Sequence, residues 1–334
     1  MPFRIKVSLI IVALLLALVF VVPLVVPIPA PQGARPLAEV AQGAELVEVS
    51  GVGLHVARYP HEGAAPAPTF VLLHDYAFWS YAFEPIAPAL AAHGAVVAFD
   101  RPGFGLSERP LPEGDRYAVG FDPYTPEAQV ALTVGLLDAL GVEQAVLVGN
   151  GMGGRVALDT ALAHPERVRA LVLLDTPVSL EETARAAPGW LLNSPQMRRL
   201  GPVFLRQLAE GPGEQLLLGA FADEGAVTPE IRARHAVTTS VEGWDRALWE
   251  VSRAGRPASL AGRLGALAVP TLVVAGEADA TVPLSDAERL VSELPDAELV
   301  TLPACGRVPQ LECPEPLMQA LEAWLQRTGL AATL

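Results

Sequence analysis

The chain has 334 residues, of which 51% are hydrophobic and 18% are charged, and its formal net charge is −14. This length exceeds that of a minimal domain and allows one large domain or two small ones. The apolar composition excludes a disordered chain. The acidic balance argues against a nucleic-acid partner, because an acidic surface repels phosphate backbones. The mean hydropathy of +0.36 indicates that an apolar segment raises the average.

Residues 1–30 contain that apolar segment. Arg4 and Lys6 precede an apolar stretch from Val7 to Ile28 that is broken only by Ser8, Pro23 and Pro27. At ~1.5 Å per helical residue it spans about 30 Å of hydrocarbon. We expect a membrane anchor here, with a cleaved signal peptide as the alternative. The positive charge before the stretch places the rest of the chain outside the cytoplasm, either anchored or secreted. Residues 31–45, which are rich in proline, are expected to form a tether.

From residue 46 onward, short apolar runs alternate with helical patterns, which is typical of a mostly parallel sheet covered by helices. Thr125 before Pro126 predicts a helix start, Ser285 to Glu288 forms a candidate capping box, and Pro314 opens the last helix. The predicted strands are Leu46–Val49, Leu54–Tyr59, Thr69–His74, Ala95–Asp100, Ala145–Gly149, Ala170–Asp175, Thr271–Gly276 and Glu298–Leu302.

The segment 176–269 interrupts this alternation. It shows no convincing strand pattern and several amphipathic stretches. We predict that it forms a helical lid inserted into a core made of residues 46–175 and 270–334.

The turn after the fifth predicted strand fits two motifs. Gly149, Gly151 and Gly154 match the dinucleotide-binding pattern G-x-G-x-x-G, and Asp175 ends the next strand where such folds place a ribose-binding carboxylate. The same turn also matches a nucleophile elbow, G-x-S-x-G, with Gly151 at the nucleophile position. A dinucleotide unit normally opens its domain, whereas here four strands precede the turn.

Further motifs favour the elbow, and with them the chain resembles the α/β-hydrolase superfamily, particularly its lid-bearing esterases and epoxide hydrolases. The resemblance implies an eight-stranded, mostly parallel sheet flanked by helices. The matching segments are the oxyanion strand Leu72–His74, the following strand and loop Phe99–Glu108, the acid loop Gly276–Asp279 and the histidine loop Pro303–Gly306 with Val308.

The resemblance implies a triad of nucleophile, acid and histidine, of which this chain retains one member. Asp279 occupies the acid position. Gly151 stands at the nucleophile position and has no side chain, and Arg307 stands at the histidine position. An arginine remains protonated and does not act as a base near neutral pH. We therefore expect the serine-hydrolase machinery to be absent.

The resemblance also implies an oxyanion hole formed by the backbone N–H groups of Tyr76 and Met152. Asp75 follows His74 where the superfamily usually has glycine, and its carboxylate would disfavour an oxyanion or act as a base for water. The residues expected to line the pocket are His74, Asp75, Asn150 and, from the lid, His235.

We therefore predict a non-catalytic protein that binds a small apolar ligand under the lid or acts as a scaffold. The alternative is an active, esterase-like hydrolase with a non-standard site, and a weaker alternative is a nucleotide-binding protein. The sequence predicts no cofactor, metal or nucleic acid, and a membrane contact through the N-terminal helix.

Two structural predictions complete the sequence analysis. Cys305 and Cys313, eight residues apart in a chain expected outside the cytoplasm, are predicted to form a disulfide, with two free thiols as the alternative. Arg307 is predicted to pair with the Asp279 carboxylate in an ion pair that Asp75 can share, with exposure of its side chain to solvent as the alternative.

Overall fold

A computed structural model describes residues 3–63, 67–111, 121–178, 188–210 and 213–331. All eight predicted strands are present, with ends shifted by at most two residues. The strands are β1 Glu45–Val49, β2 Val52–Tyr59, β3 Thr69–Leu73, β4 Ala95–Phe99, β5 Ala145–Asn150, β6 Val168–Leu174, β7 Thr271–Gly276 and β8 Ala297–Leu302.

The strands form one sheet in the order β1-β2-β4-β3-β5-β6-β7-β8. β2 pairs in the antiparallel sense with β1 and β4, and the other neighbours are parallel. The predicted mostly parallel sheet is therefore confirmed. The carboxyl ends of β3, β5, β6, β7 and β8 meet at one edge, where open α/β sheets place their sites.

Helices cover both faces of the sheet. The Thr125 side chain accepts a hydrogen bond from the Ala128 N–H and so caps α5 as predicted. The predicted capping box at Ser285 is wrong, because α12 already begins at Leu284 after Pro283, which places Ser285 inside the first turn. The helices are α1 Phe3–Phe20, α2 Val22–Val25, α3 Leu37–Val40, α4 Ala87–Leu90, α5 Pro126–Ala139, α6 Met152–Ala163, α7 Gly189–Leu192, α8 Pro195–Glu210, α9 Gly213–Leu218, α10 Pro229–His235, α11 Trp244–Arg253, α12 Leu284–Glu293, α13 Pro309–Glu312 and α14 Pro314–Arg327.

The core has one layer on each face of the sheet. Along β3, Val71 and Leu73 point into the layer shared with α5, α6 and α12, whereas Phe70 and Leu72 point into the layer shared with α4 and α14. This alternation follows from the two-residue period of a strand. Because both faces are covered, the central strands are apolar throughout, which made them recognisable from the sequence.

The chain between β6 and β7 packs over the carboxyl edge of the sheet. Within its described residues 188–210 and 213–269 it contains helices α7 to α11 and no strand. Phe221 and Leu217 from this insertion join Phe78, Phe104 and Val308 from the sheet-edge loops in a third apolar cluster. Its action as a lid stays a prediction.

The stretch from Val7 to Ile28, expected to be a membrane anchor, does not form one continuous helix. The chain forms α1, breaks at Val21 and restarts as α2, which has Pro23 in its first turn. Proline lacks the N–H that a continuous helix needs and disfavours the helical conformation of the residue before it. Over the described residues, no helix combines the length and the apolar character needed to cross a bilayer.

The segment after this break is attached to the insertion. The Arg199 guanidinium of α8 donates to the Val26 carbonyl at 2.7 Å. In the segment 31–45, predicted to be a tether, the Arg35 N–H donates to the Ser240 carbonyl at 2.9 Å. These contacts hold the N-terminal segment against the helices that cover the sheet edge.

Candidate functional site

Gly151 forms the turn between β5 and α6, at the carboxyl edge of the sheet. Its φ of 52° and ψ of −118° lie in a region that favours glycine. The Gly151 N–H donates to the Leu174 carbonyl at 2.8 Å, which ties the turn to β6. The backbone therefore has the sharp strand-to-helix geometry of a nucleophile elbow, without a nucleophile side chain.

The space beside Gly151 is filled by the side chain of Asp75. This carboxylate is 1% exposed, and Oδ1 accepts a hydrogen bond of 2.7 Å from the Met152 N–H. A Cβ atom added to Gly151 would overlap the same carboxylate. The predicted oxyanion donor Met152 is therefore occupied by a negative charge that belongs to the protein itself.

Arg307 supplies the matching positive charge. Its Nε lies 2.7 Å from Asp75 Oδ2 as an ion pair, and its Nη1 donates to Thr281 Oγ1 at 3.1 Å. Burial lowers the pKa of Arg307, but the charge and hydrogen bond of Asp75, together with the charges of Asp279 and Asp175, raise the pKa above its usual value. One carboxylate–guanidinium pair, with a buried Asp75 and a partly buried Arg307, thus occupies the positions of the oxyanion and the histidine and fills the space beside the nucleophile position.

The predicted pairing of Arg307 with Asp279 is wrong. Asp279 Oδ1 instead accepts hydrogen bonds from the Thr281 N–H, the Thr281 hydroxyl and the Val282 N–H, at 2.7, 2.7 and 3.1 Å. Within the described residues, no ion pair joins Arg307 to Asp279. Chain spacing placed both residues at the edge but gave no information on which carboxylate the guanidinium would reach.

Asp175 is a third carboxylate at this edge, and sequence reasoning considered it only as a nucleotide ligand. It follows β6, is 3% exposed, and accepts a hydrogen bond of 2.8 Å from the Gly276 N–H. Burial raises its pKa to about 8, and the nearby Asp279 charge adds to this effect. Asp175 is therefore mostly protonated at neutral pH, unlike an ordinary aspartate.

His74 and Asn150, both expected in the pocket, instead hold the loops in place. Burial lowers the pKa of His74 to about 3, and its ring accepts from the Arg101 N–H at 2.9 Å and contacts the Asp75 carbonyl at 2.7 Å. The Asn150 side chain donates to the Arg307 carbonyl at 2.8 Å. These contacts use hydrogen-bonding groups of both side chains within the protein.

Two other predicted residues, Tyr76 of a sheet-edge loop and His235 of the insertion, pack against aromatic side chains of the sheet-edge loops. The ring of Tyr76 packs edge-on against Phe104 with centroids 5.6 Å apart, and burial raises the pKa of its phenol. The oxyanion role of the Tyr76 N–H stays a prediction. His235 lies against Phe78, 5.2 Å between ring centroids, and burial lowers its pKa to about 4. None of its described contacts reaches Asp75 or Met152.

The glycines of the elbow have a packing role. A Cβ on Gly149 would overlap the backbone of Gly154, so the two glycines allow β5 and α6 to approach closely. This contact explains both residues without a nucleotide, and the Asp175 carboxylate is directed to Gly276.

The structure joins Cys305 and Cys313 by a disulfide, with Cα atoms 6.2 Å apart. Across the described residues, these cysteines and Glu312 are the only group with metal-ligand proximity. The disulfide consumes both thiolates, so this group is not suited to a metal ion.

Comparisons with known proteins agree with the fold described above. The family model described as alpha/beta hydrolase fold matches residues 68–314. The chain is similar to 2-hydroxy-6-oxo-6-phenylhexa-2,4-dienoate hydrolase of Burkholderia cepacia, with 30% identity over 80% of this chain and 91% of that protein. It is 33% identical to 2-hydroxymuconate semialdehyde hydrolase of Pseudomonas putida, over 69% of this chain and 76% of that protein. Its fold matches the enol-lactonase of Burkholderia xenovorans with a TM-score of 0.67 and 22% identity, over 84% of this chain and 100% of that structure.

Proposed function

Because this chain belongs to the alpha/beta hydrolase fold family, we propose that it uses the family's site to bind a small, largely apolar ligand without serine-dependent turnover. The observation that carries the proposal is the Asp75 carboxylate, which accepts the Met152 N–H and pairs with Arg307. A tetrahedral oxyanion would need the same N–H and would be repelled by the charge already there. Position 151 is glycine and position 307 is arginine. These positions therefore provide neither a serine nucleophile nor a histidine base.

The test is restoration of the family pattern by substitution. The unmodified protein is expected to hydrolyse p-nitrophenyl acetate at the background rate and to resist labelling by a serine-directed phosphonate. The double variant G151S/R307H should also stay silent, because Asp75 overlaps the restored side chain. The triple variant D75G/G151S/R307H should gain measurable esterase activity. Phosphonate labelling of the unmodified protein would contradict the proposal.

A second candidate function is hydrolysis by a non-standard arrangement. The relatives are named as hydrolases, which supports this second candidate. The residues of the site support the first candidate, binding without turnover. In this candidate Asp75 acts as the base for a water molecule and Asp175, whose pKa burial raises to about 8, acts as the acid. Two carboxyl groups whose environments separate their protonation states are suited to such roles.

The two candidates differ in the outcome of one substitution. If Asp75 acts as a base, ester turnover by the unmodified protein exceeds background and the variant Asp75→Asn abolishes it. If the site only binds, both proteins stay at background. The variant His235→Ala serves as the control, because its ring is held against Phe78 and not against Asp75.

A further inference from the structure

A small cavity is lined in part by Met152 and does not include Arg307 among its lining residues. It has a volume of about 70 Å³ and lies between the loop after β4, helices α5 and α6, and the insertion at α11 and the residues after it. At about 10–15 Å³ of such volume per water, it has room for several water molecules or one small polar group. The residues that matter here are Arg101, Phe104, Tyr124, Gln129 and Met152.

Arg101 brings to this cavity a positive charge that no described residue pairs with directly. The residue is 6% exposed, and its Nε and Nη2 atoms are buried without a hydrogen-bond partner. No carboxylate in the described part of the chain forms an ion pair with it. The Phe104 ring lies 5.2 Å from its Cζ and supplies only a weak cation–π contact. Burial lowers the pKa of Arg101 to about 10, so the guanidinium is still charged at neutral pH.

Two other arginines nearby have direct hydrogen-bond partners. The Arg109 guanidinium donates to the Ser107 and Gly105 carbonyls at 2.7 and 2.8 Å. Arg155, which also lines the cavity, pairs with Asp159 at 3.0 Å. A buried guanidinium without a direct partner destabilises the folded state, and the Asp75 charge offsets only part of the effect of burial on Arg101. An anion entering from outside the chain would supply the missing partner.

We propose that Arg101 binds the carboxylate of a small organic acid in this cavity, with the rest of the acid directed toward Met152. This inference rests on the proposed function and names the chemical class of its ligand. The planar guanidinium fork matches a carboxylate. A doubly charged phosphate is less suitable, because Asp159 lines the same cavity and the Asp75 charge also acts on Arg101. The Arg101 backbone is fixed by its hydrogen bond to His74, so the guanidinium is anchored for this contact.

The test measures the thermal stability of the full chain with simple probes. Sodium acetate and sodium butyrate are compared with acetamide and butyramide, and sodium chloride keeps the ionic strength equal. The two carboxylates are expected to raise Tm with a saturating dependence on concentration, whereas the two amides should leave it unchanged. The variant Arg101→Met should weaken the apparent affinity for carboxylates by about 10- to 100-fold. It should also melt at a higher temperature than the unmodified protein without ligand, because the unpaired charge is gone.

Two further variants keep the test decisive. Arg101→Lys retains the charge and should bind the carboxylates with intermediate affinity, and it carries the test if Arg101→Met does not fold. Arg109→Met removes a paired buried arginine, so it should lower Tm without ligand and keep the rise caused by carboxylates. An equal rise in Tm in the unmodified protein and in Arg101→Met, or no saturable rise with either carboxylate, would overturn the inference.

Failure of this inference is distinguishable from failure of the proposed function. If neutral esters or ketones raise Tm while carboxylates do not, the site still binds a ligand, but Arg101 is not its anchor. If a phosphonate labels the protein, the proposed function is contradicted. The role of Arg101 is then still decided by the comparison of carboxylate-induced Tm shifts in the unmodified protein and in Arg101→Met.

Discussion

The Asp75 carboxylate requires glycine at position 151, because any Cβ there would overlap it. The same residue has a positive φ of 52°, which costs a non-glycine residue about 1–3 kcal/mol. Two separate constraints, one from the backbone and one from a neighbouring side chain, therefore act on one position.

We expect Gly151→Ala to lower the free energy of unfolding by about 3–5 kcal/mol, the sum of backbone strain and overlap. Gly243 is the matched control, since it has a φ of 77° but no atom within 4 Å of an added Cβ. Gly243→Ala should therefore cost only about 1 kcal/mol. Denaturant unfolding measures both. Equal losses in the two variants would show that Asp75 does not crowd Gly151.

The pair of Asp75 and Arg307 leads to a second prediction. Arg307→Met leaves a buried carboxylate without its cation and should destabilise the protein by about 3–5 kcal/mol. Combining it with Asp75→Asn should cost less than the two single changes added, with a coupling of at least 1 kcal/mol. A parallel cycle with Asp279→Asn should give a smaller coupling, since Asp279 is bonded within its own loop. Additive losses for Asp75 and Arg307 would refute the pairing.

The sequence identified the altered positions but not their contacts. Gly151, Asp75 and Arg307 were recognisable because each stands in a motif whose usual residue is known. The partner of Arg307 was not, because three carboxylates reach the same sheet edge from different strands and only side-chain directions distinguish them. Arg101 gave no signal either, since a charge without a direct partner is visible only once its neighbours are known.

At the scale of elements, the sheet was predictable and the N-terminal segment was not. Covered parallel strands are continuous apolar runs, so all eight were located within two residues of their ends. The stretch from Val7 to Ile28 is equally apolar, but Pro23 divides it into two helices. The hydropathy of such a segment reflects its composition and does not reveal where a proline breaks the helix.

The disulfide joins the loop that carries Arg307 to the start of α14. Closing a loop over a separation of eight residues stabilises a fold by about 2–3 kcal/mol. We expect Cys305→Ser combined with Cys313→Ser to lower the free energy of unfolding by that amount. A reductant should destabilise the unmodified protein similarly and leave the double variant unaffected. Two reactive thiols in the unreduced, denatured protein would show that the bond does not form.

For the whole molecule, Asp175 predicts a dependence of stability on pH. Its folded pKa of about 8 is above the unfolded value of about 4, so between these values the folded state holds the proton more tightly. The free energy of unfolding should therefore fall as the pH rises, by up to about 1.4 kcal/mol per unit, and level off above pH 8. Unfolding curves from pH 6.5 to 9 measure this trend.

The control for this trend is Asp175→Asn, which should remove the decline between pH 6.5 and 8. Below pH 6.5 the buried His74, with a pKa of about 3, acts in the opposite direction, since the unfolded chain binds the proton more readily. The higher window therefore isolates Asp175. A decline of equal slope in Asp175→Asn would assign it to another group.

The overlap between Asp75 and any side chain at position 151 also limits which single substitutions the site accepts. A serine introduced at position 151 alone collides with the Asp75 carboxylate. Replacement of Asp75 by glycine therefore has to come first or together with it. In that step the Met152 N–H and the Arg307 guanidinium lose their partner. The effect of each substitution at this site thus depends on the order in which the substitutions are made.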